Sequence, residues 1–169
     1  MADNTDTKKT ILLTGGNSGI GLAAAGQLAQ QGHKVIITAR DEAKARFARE
    51  TIADNYSVSV ESLLLDLADF ASIRRCVEQF KQRYQRLDVL INNAGLNLSQ
   101  RTETPQGFEY VLGVNHVGPF LLTDLLLDYL KENAPSRIVC LSSAAHVGAR
   151  KGIDWDDLQR TKKYSGQAY

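Results

Sequence analysis

The octet Thr14-Gly15-Gly16-Asn17-Ser18-Gly19-Ile20-Gly21 follows the apolar run Ile11-Leu12-Leu13 and opens a helix-like segment from Ile20 to Gln31. A strand that turns at once into a helix restricts the chain to few paths, and each glycine has a place in that turn. Gly15 allows the tight reversal, Gly19 lets backbone approach a pyrophosphate, and Gly21 lets the helix lie close to the sheet. The positive end of the helix dipole then faces the phosphates. A turn serving the fold alone does not require three spaced glycines together with polar Asn17 and Ser18.

The rest of the chain repeats the same rhythm. Gly32 is placed to close the first helix, and Val35-Ile36-Ile37-Thr38 reads as a β-branched strand. A charged helix pattern runs from Asp41 to about Ala53, a third strand from Val58 to Leu65, and a helix from Asp69 to about Tyr84. Val89-Leu90-Ile91 is a fourth strand. A long helical region spans about Glu103 to Glu132, with an interruption or bend expected near Gly118-Pro119, and Ile138 to Leu141 is a fifth strand. Residues 144–163 are polar and irregular, and another helix is expected near Ser165. Strands apolar on both faces, alternating with helices, imply a parallel sheet covered on both sides. Right-handed crossovers then predict an α/β, Rossmann-type, doubly wound sheet in the order 3-2-1-4-5, forming a single domain over 1–169 that is C-terminally incomplete.

Composition narrows the function. The chain has 169 residues, 23% of them charged, with a formal net charge of +1, so no general attraction to nucleic acid or acidic membranes is expected. Arg74-Arg75 and Lys162-Lys163 read as solvated surface. Cys76 and Cys140 lie far apart without metal-ligand spacing; both are expected to be buried thiols, and no metal site is expected. The polar start MADNTDTKKT does not resemble a signal peptide, and no run of about 18 apolar residues predicts a membrane span. These features together point to a cytoplasmic protein.

The end of the second strand selects the nucleotide. An acidic residue there would hold the adenosine ribose hydroxyls, whereas an arginine can pair with a 2′-phosphate. Thr38-Ala39-Arg40 precedes Asp41, so Arg40 favours NADP(H) over NAD(H). The plainer alternative is that Asp41 caps the next helix and Arg40 is simply exposed.

Several ordered motifs together resemble the classical short-chain dehydrogenase/reductase family over essentially the whole length. Thr14 to Gly21 matches its Thr-Gly-x-x-x-Gly-x-Gly pattern, and Asn92-Asn93-Ala94-Gly95 matches the element that supports the sheet and lines the cofactor cleft. Asp66-Leu67 stands where the family's acidic residue contacts adenine. Val114-Asn115-His116-Val117-Gly118-Pro119-Phe120 and Arg137 to Ser143 look especially like the retinol-dehydrogenase and WW-domain-oxidoreductase branch. The resemblance implies that Asn115 holds a proton-relay water, that Ser143 (with Ser142 the weaker alternative) polarises the substrate oxygen, and that Tyr169 is the catalytic acid/base. It also implies a small hydrophobic alcohol or carbonyl substrate, part of whose wall falls in residues 145–163, and a homo-oligomer in the full-length form. His116 and His146 read as structural residues.

Hydride exchange with a carbonyl carbon leaves an alkoxide-like oxygen that needs a proton and hydrogen-bond donors. A tyrosine with a pKa of about 10 is a poor base at neutral pH, and a cation one helical turn away would stabilise its phenolate. The resemblance places that cation, a lysine, four residues past Tyr169, where the sequence has already ended. The 169 residues are therefore expected to keep a phosphate-binding half-site with little or no turnover. The alternative is a non-catalytic nucleotide-binding or interaction module.

Overall fold

The computed structural model describes residues 8–148, 152–162 and 164. Five parallel strands, β1 (Thr10–Leu13), β2 (Lys34–Ala39), β3 (Glu61–Leu64), β4 (Val89–Asn92) and β5 (Arg137–Cys140), form one sheet in the order β3-β2-β1-β4-β5. In the register, Ile11 lies opposite Val35 on one side and Val89 on the other, and Val89 lies opposite Arg137. The predicted sheet order is therefore the observed one. All four residues of β1 are buried, as a central strand covered on both faces requires.

Helices α1 (Gly19–Gln30) and α2 (Glu42–Tyr56) pack on one face of the sheet, with Ala25, Ala29, Ala48 and Ile52 meeting Leu13, Val35 and Ile37. Helices α3 (Phe70–Arg83) and α4 (Tyr110–Glu132) cover the other, where Ile73, Phe80, Leu122 and Leu126 meet Leu12, Ile36 and Leu90. The stops and starts follow local chemistry. Gly32, at φ +87°, donates to Ala29 O at 2.9 Å and His33 N to Leu28 O at 3.3 Å, a paired closure of α1. Asp41 and Asp69 accept from Lys44 N and Ala71 N, capping α2 and α3.

Two expectations need correction, the start of the long helix and the burial of Cys140, and a third takes a definite form. The long helical region starts at Tyr110 instead of Glu103, because Thr104–Phe108 is a turn, with Gly107 at φ +80° and Glu103 bridged to Glu109. The interruption expected near Gly118-Pro119 is a π-turn at Gly113–Val117, directly ahead of that pair, whose wider bond runs from Gly118 N to Gly113 O. Pro119 lacks the N–H for a regular α-bond, and the widened turn absorbs its fit; Gly118 is needed for contact, since a Cβ there would lie 2.3 Å from Leu67 O. Cys140 is exposed, because β5 stands at the sheet edge with Ile138 and Val139 each 42% accessible. Cys76 is buried as expected, and that burial pushes its thiol up to about 12.

Two smaller differences concern lengths. The third strand is confined to Glu61–Leu64, while α2 continues to Tyr56 and ends at Ser57 in the left-handed region. By length and composition α4 is apolar enough to cross a bilayer, although no uninterrupted apolar run signals it; here its Leu122, Leu126 and Leu130 stripe lies in the core. The irregular stretch contains 3-10 turns at Ala144–Gly148 and Trp155–Asp157. The helix expected near Ser165 falls outside the described residues.

Candidate functional site

The C-terminal ends of all five strands meet the head of α4 around one cleft of about 420 Å³. It opens where the chain direction reverses between β1 and β4, the switch point at which open α/β sheets bind ligands. Gly15, Asn17, Ser18, Gly19, Ile20 and Gly21 line it from the first turn, and Arg40 from the end of β2. Asp66 and Leu67 line it after β3, and Asn93, Ala94 and Gly95 after β4. The fold thus gathers every residue that the sequence suggests for a cofactor.

The first turn is held by a buried hydroxyl. Thr14 Oγ1 accepts from the backbone N–H groups of Asn93 and Ala94, both at 3.0 Å, and donates to Ile91 O at 3.3 Å. The Asn93 amide donates back to Thr14 O at 2.8 Å and Gly15 O at 3.2 Å. These bonds lock the β1 turn to the β4 loop and leave no space for side chains. A Cβ on Gly15 would sit 2.8 Å from Ala94 Cα, and one on Gly21 would sit 2.3 Å from Gly15 O. At Gly19, with φ +52°, a Cβ would meet nothing within 4 Å. That position faces open cleft.

Helix α1 differs from its neighbours at its start. Asp41, Asp69 and Glu109 cap α2, α3 and α4 with their carboxylates, whereas the Ser18 side chain makes no cap bond and the first turn of α1 holds no acid. The first α1 bond runs from Leu22 N to Ser18 O at 3.1 Å, so the N–H groups of Gly19, Ile20 and Gly21 precede it. Uncapped donors and the positive end of the dipole make this terminus a ready receptor for an anion.

A second positive point lies at the end of β2. Arg40 is exposed and lines the cleft; Lys44, one turn into α2, lines it too. Lys44 pairs with Asp41 at 3.0 Å, and its backbone N–H bonds the same carboxylate at 2.8 Å. The Lys44 backbone bond, followed by the Lys44 side chain, holds the Asp41 carboxyl below its ordinary value. Asp41 is therefore a cap, as the plainer alternative proposed, while Arg40 still reaches the cleft. Lys44 was missed in the sequence. Its only signal was its place in the first turn of the helix that follows Arg40.

Asp66 accepts from Ala68 N through Oδ1 and donates its own backbone N–H to Ser72 Oγ, both at 2.9 Å, which fixes the loop that borders the cleft. Asn115 stands in the π-turn; its Oδ1 accepts from Leu96 N at 2.9 Å and its Nδ2 donates to Leu96 O at 2.8 Å. This pairing fastens α4 to the β4 loop, and Tyr110 and Val114 of the same helix line the cleft. Asn92 Nδ2 donates to Thr123 Oγ1 at 3.0 Å and faces Cys140 Sγ at 3.8 Å, tying β4 to α4 and β5. Ser143 is exposed three residues past β5, and its carbonyl accepts from His146. It does not line the cleft directly; Leu141 is the β5-side residue that does. Tyr169 lies outside the described residues. Among the described residues no His, Cys, Asp and Glu cluster could hold a metal.

The cleft thus presents an uncapped helix start from α1, the cations Arg40 and Lys44 at the end of β2, and the Asp66 carboxylate after β3. Comparison with known proteins identifies the family. The family model described as short chain dehydrogenase matches residues 9–153. Retinol dehydrogenase 13 of Homo sapiens is 45% identical over 162 residues, covering 95% of this chain and 48% of its own length. Retinol dehydrogenase 12 of Mus musculus is 45% identical over 157 residues, covering 92% and 49%. The chain spans about half the length of the curated relatives it matches. Among solved structures, an uncharacterized protein from Mycobacterium Paratuberculosis superposes with a TM-score of 0.78 at 39% identity, covering 95% of this chain and 55% of that one. A short-chain dehydrogenase from Sphingobium yanoikuyae in complex with NADPH gives 0.70 at 29% identity, covering 85% and 57%.

Proposed function

The chain belongs to the short-chain dehydrogenase family, on its retinol-dehydrogenase branch, and from that premise we propose that it binds NADP(H) and moves hydride between nicotinamide and a small hydrophobic alcohol or carbonyl. The observation that carries this reading is the cleft between β1 and β4, with an uncapped α1 start at its floor and Arg40 and Lys44 at one end. The N–H groups of Gly19, Ile20 and Gly21 would hold the pyrophosphate, Arg40 and Lys44 the 2′-phosphate, and Asp66 the adenine. The NADPH complex of a structural relative supports the choice of nucleotide.

The cofactor, when bound, supplies or accepts the hydride. The chain's own residues handle the substrate oxygen. Ser143 donates a hydrogen bond to it, and Tyr169 gives or takes the proton at that oxygen. Asn115, fixed on Leu96, keeps the π-turn open and the head of α4 in register with the cleft. The family pattern places a lysine four residues past Tyr169 to lower the phenol's pKa.

Fluorescence titration with NADPH and NADH tests the binding half. NADPH binds more tightly, and Arg40→Ala removes about tenfold to hundredfold of that preference, the value of one charge-assisted contact. Lys44→Ala removes a smaller share because Lys44 also pairs with Asp41. Equal loss for both nucleotides in Arg40→Ala would show that the arginine does not read the 2′-phosphate. Turnover of aldehydes, ketones or retinoids that persists in Tyr169→Phe would overturn the acid/base role of that tyrosine.

A further inference from the structure

Lys44 stands where a helix does not favour a cation. The first turn of α2 is the positive end of its dipole, which suits carboxylates and repels an ammonium. Asp41 at the cap and Glu42 after it obey that rule, and Lys44 breaks it. Glu42 is taken by Arg49 Nη2 at 3.2 Å, and the Lys44 ammonium meets Asp41 Oδ2 at 3.0 Å. Lys44 therefore does little for its own helix, yet it lines the nucleotide cleft beside Arg40.

The two partners of this ion pair differ in freedom. Asp41 is fixed, because its Oδ1 accepts from Lys44 N at 2.8 Å as the α2 cap, and it does not line the cleft. The Lys44 side chain is half-exposed on a flexible four-carbon stem. Its ammonium is free to lean from the carboxylate toward an anion in the cleft, while the carboxylate stays behind. With the pair closed, the charges of Asp41 and Lys44 cancel, and Arg40 supplies the positive charge at the end of β2.

We propose that Asp41 is a specificity-determining residue that restrains the choice of NADP(H): it holds Lys44 as a counter-ion, and a 2′-phosphate must draw the ammonium off that carboxylate to be recognised by it. This rests on the nucleotide reading above. A nucleotide with a bare 2′-hydroxyl makes no such demand, so the restraint acts on NADPH and leaves NADH alone. The preference for NADPH is thereby set below what Arg40 and Lys44 would give together. Asp41 acts through Lys44, as a positioning residue, and touches neither nucleotide.

Asp41→Asn tests the restraint and keeps the cap, since asparagine caps a helix about as well as aspartate. Fluorescence titration is expected to show NADPH bound about twofold to fivefold more tightly than by wild type, the size of one exposed ion pair, with NADH unchanged. In a Lys44→Met background the same substitution gives about half that gain or less, because the ammonium it would release is missing. The gain also fades between about 10 mM and about 1 M salt, as the Debye length shortens from about 30 Å to about 3 Å. A purely structural cap would move none of these readouts. Unchanged or weaker NADPH binding in Asp41→Asn would overturn the restraint. So would an equal gain for NADH, a gain kept in full without Lys44, or one indifferent to salt. Wild-type protein with no preference for NADPH would remove the nucleotide reading and the restraint together, whereas a wild-type preference that Asp41→Asn leaves unaltered removes the restraint alone.

Discussion

At the scale of single residues, the first turn separates folding from binding among three glycines only a few positions apart. Gly15 and Gly21 face protein, Ala94 at 2.8 Å and Gly15 O at 2.3 Å, and Gly19 faces the open cleft. Gly21→Ala is expected to cost about 1–3 kcal/mol of stability by overpacking, with loss of nucleotide binding following from the damaged turn. Gly19→Ala costs only the strain of its positive φ, about 1–2 kcal/mol, while its methyl group occupies the space where a pyrophosphate would sit. Thermal denaturation and NADPH titration of both variants check this. If Gly19→Ala kept full affinity, the pyrophosphate would not lie against that residue. The spacing of the glycines made this turn readable in the sequence, because each needs a missing side chain. Lys44 was not readable in the same way. A lysine on an exposed helical turn is ordinary, and only the fold shows that it points to the same cleft as Arg40.

At the scale of elements, the strands were legible from their apolar runs and the helices from their periodicity, but helix starts depended on contacts far away in the chain. Glu103 and Glu109 both precede the apolar pattern of α4. What distinguishes Glu109 is a buried carboxylate bonded to the Val111 and Leu112 N–H groups, together with a backbone N–H that donates to the side chain of a residue fifty positions later. Cys140 was misplaced for a related reason: an apolar strand looks the same in sequence at the centre and at the edge of a sheet. The other edge is managed by charge. On β3, Glu61 meets Lys34 at 3.2 Å, Arg83 at 3.2 Å and the Tyr84 hydroxyl at 2.8 Å, which ties β3 to β2 and α3. Burial raises the Glu61 pKa, but the Tyr84 hydrogen bond and the Lys34 and Arg83 charges outweigh it, so the net shift is below the ordinary value of 4.5. A depressed carboxyl stabilises the fold above its unfolded pKa, and that contribution is lost as pH falls through the folded value. Glu61→Gln is therefore expected to lower stability at pH 7 by about 0.5–1 kcal/mol, the small value of a partly exposed and salt-screened group. The gap to wild type should close as pH falls below about 4.5. Urea denaturation from pH 7 to pH 3 measures it, and a gap independent of pH would remove Glu61 as the source.

At the scale of the whole molecule, the cleft belongs to neither layer of the core alone. The α1 and α2 side supplies the uncapped helix start and the two cations, and the α3 and α4 side supplies Tyr110, Val114 and the Asn115 tether to Leu96. A ligand that touches both sides binds only when the strand ends of both are correctly placed, so its binding energy acts on the folding equilibrium of the entire sheet. NADPH at about a hundred times its Kd should add about 2.7 kcal/mol of stability. For a domain of this size that corresponds to a rise in Tm of roughly 5–10 °C. NADH at the same concentration should give a smaller rise, and Arg40→Ala should shrink the difference between the two nucleotides without lowering the Tm of the free protein, because Arg40 is exposed. Thermal shift measurements across a concentration series separate these outcomes. A rise of equal size with either nucleotide would leave the pyrophosphate site standing and remove Arg40 and Lys44 from nucleotide choice. No rise with NADPH at saturating concentration would mean that the two layers do not close around a dinucleotide at all, and the uncapped start of α1 would then need a different anion.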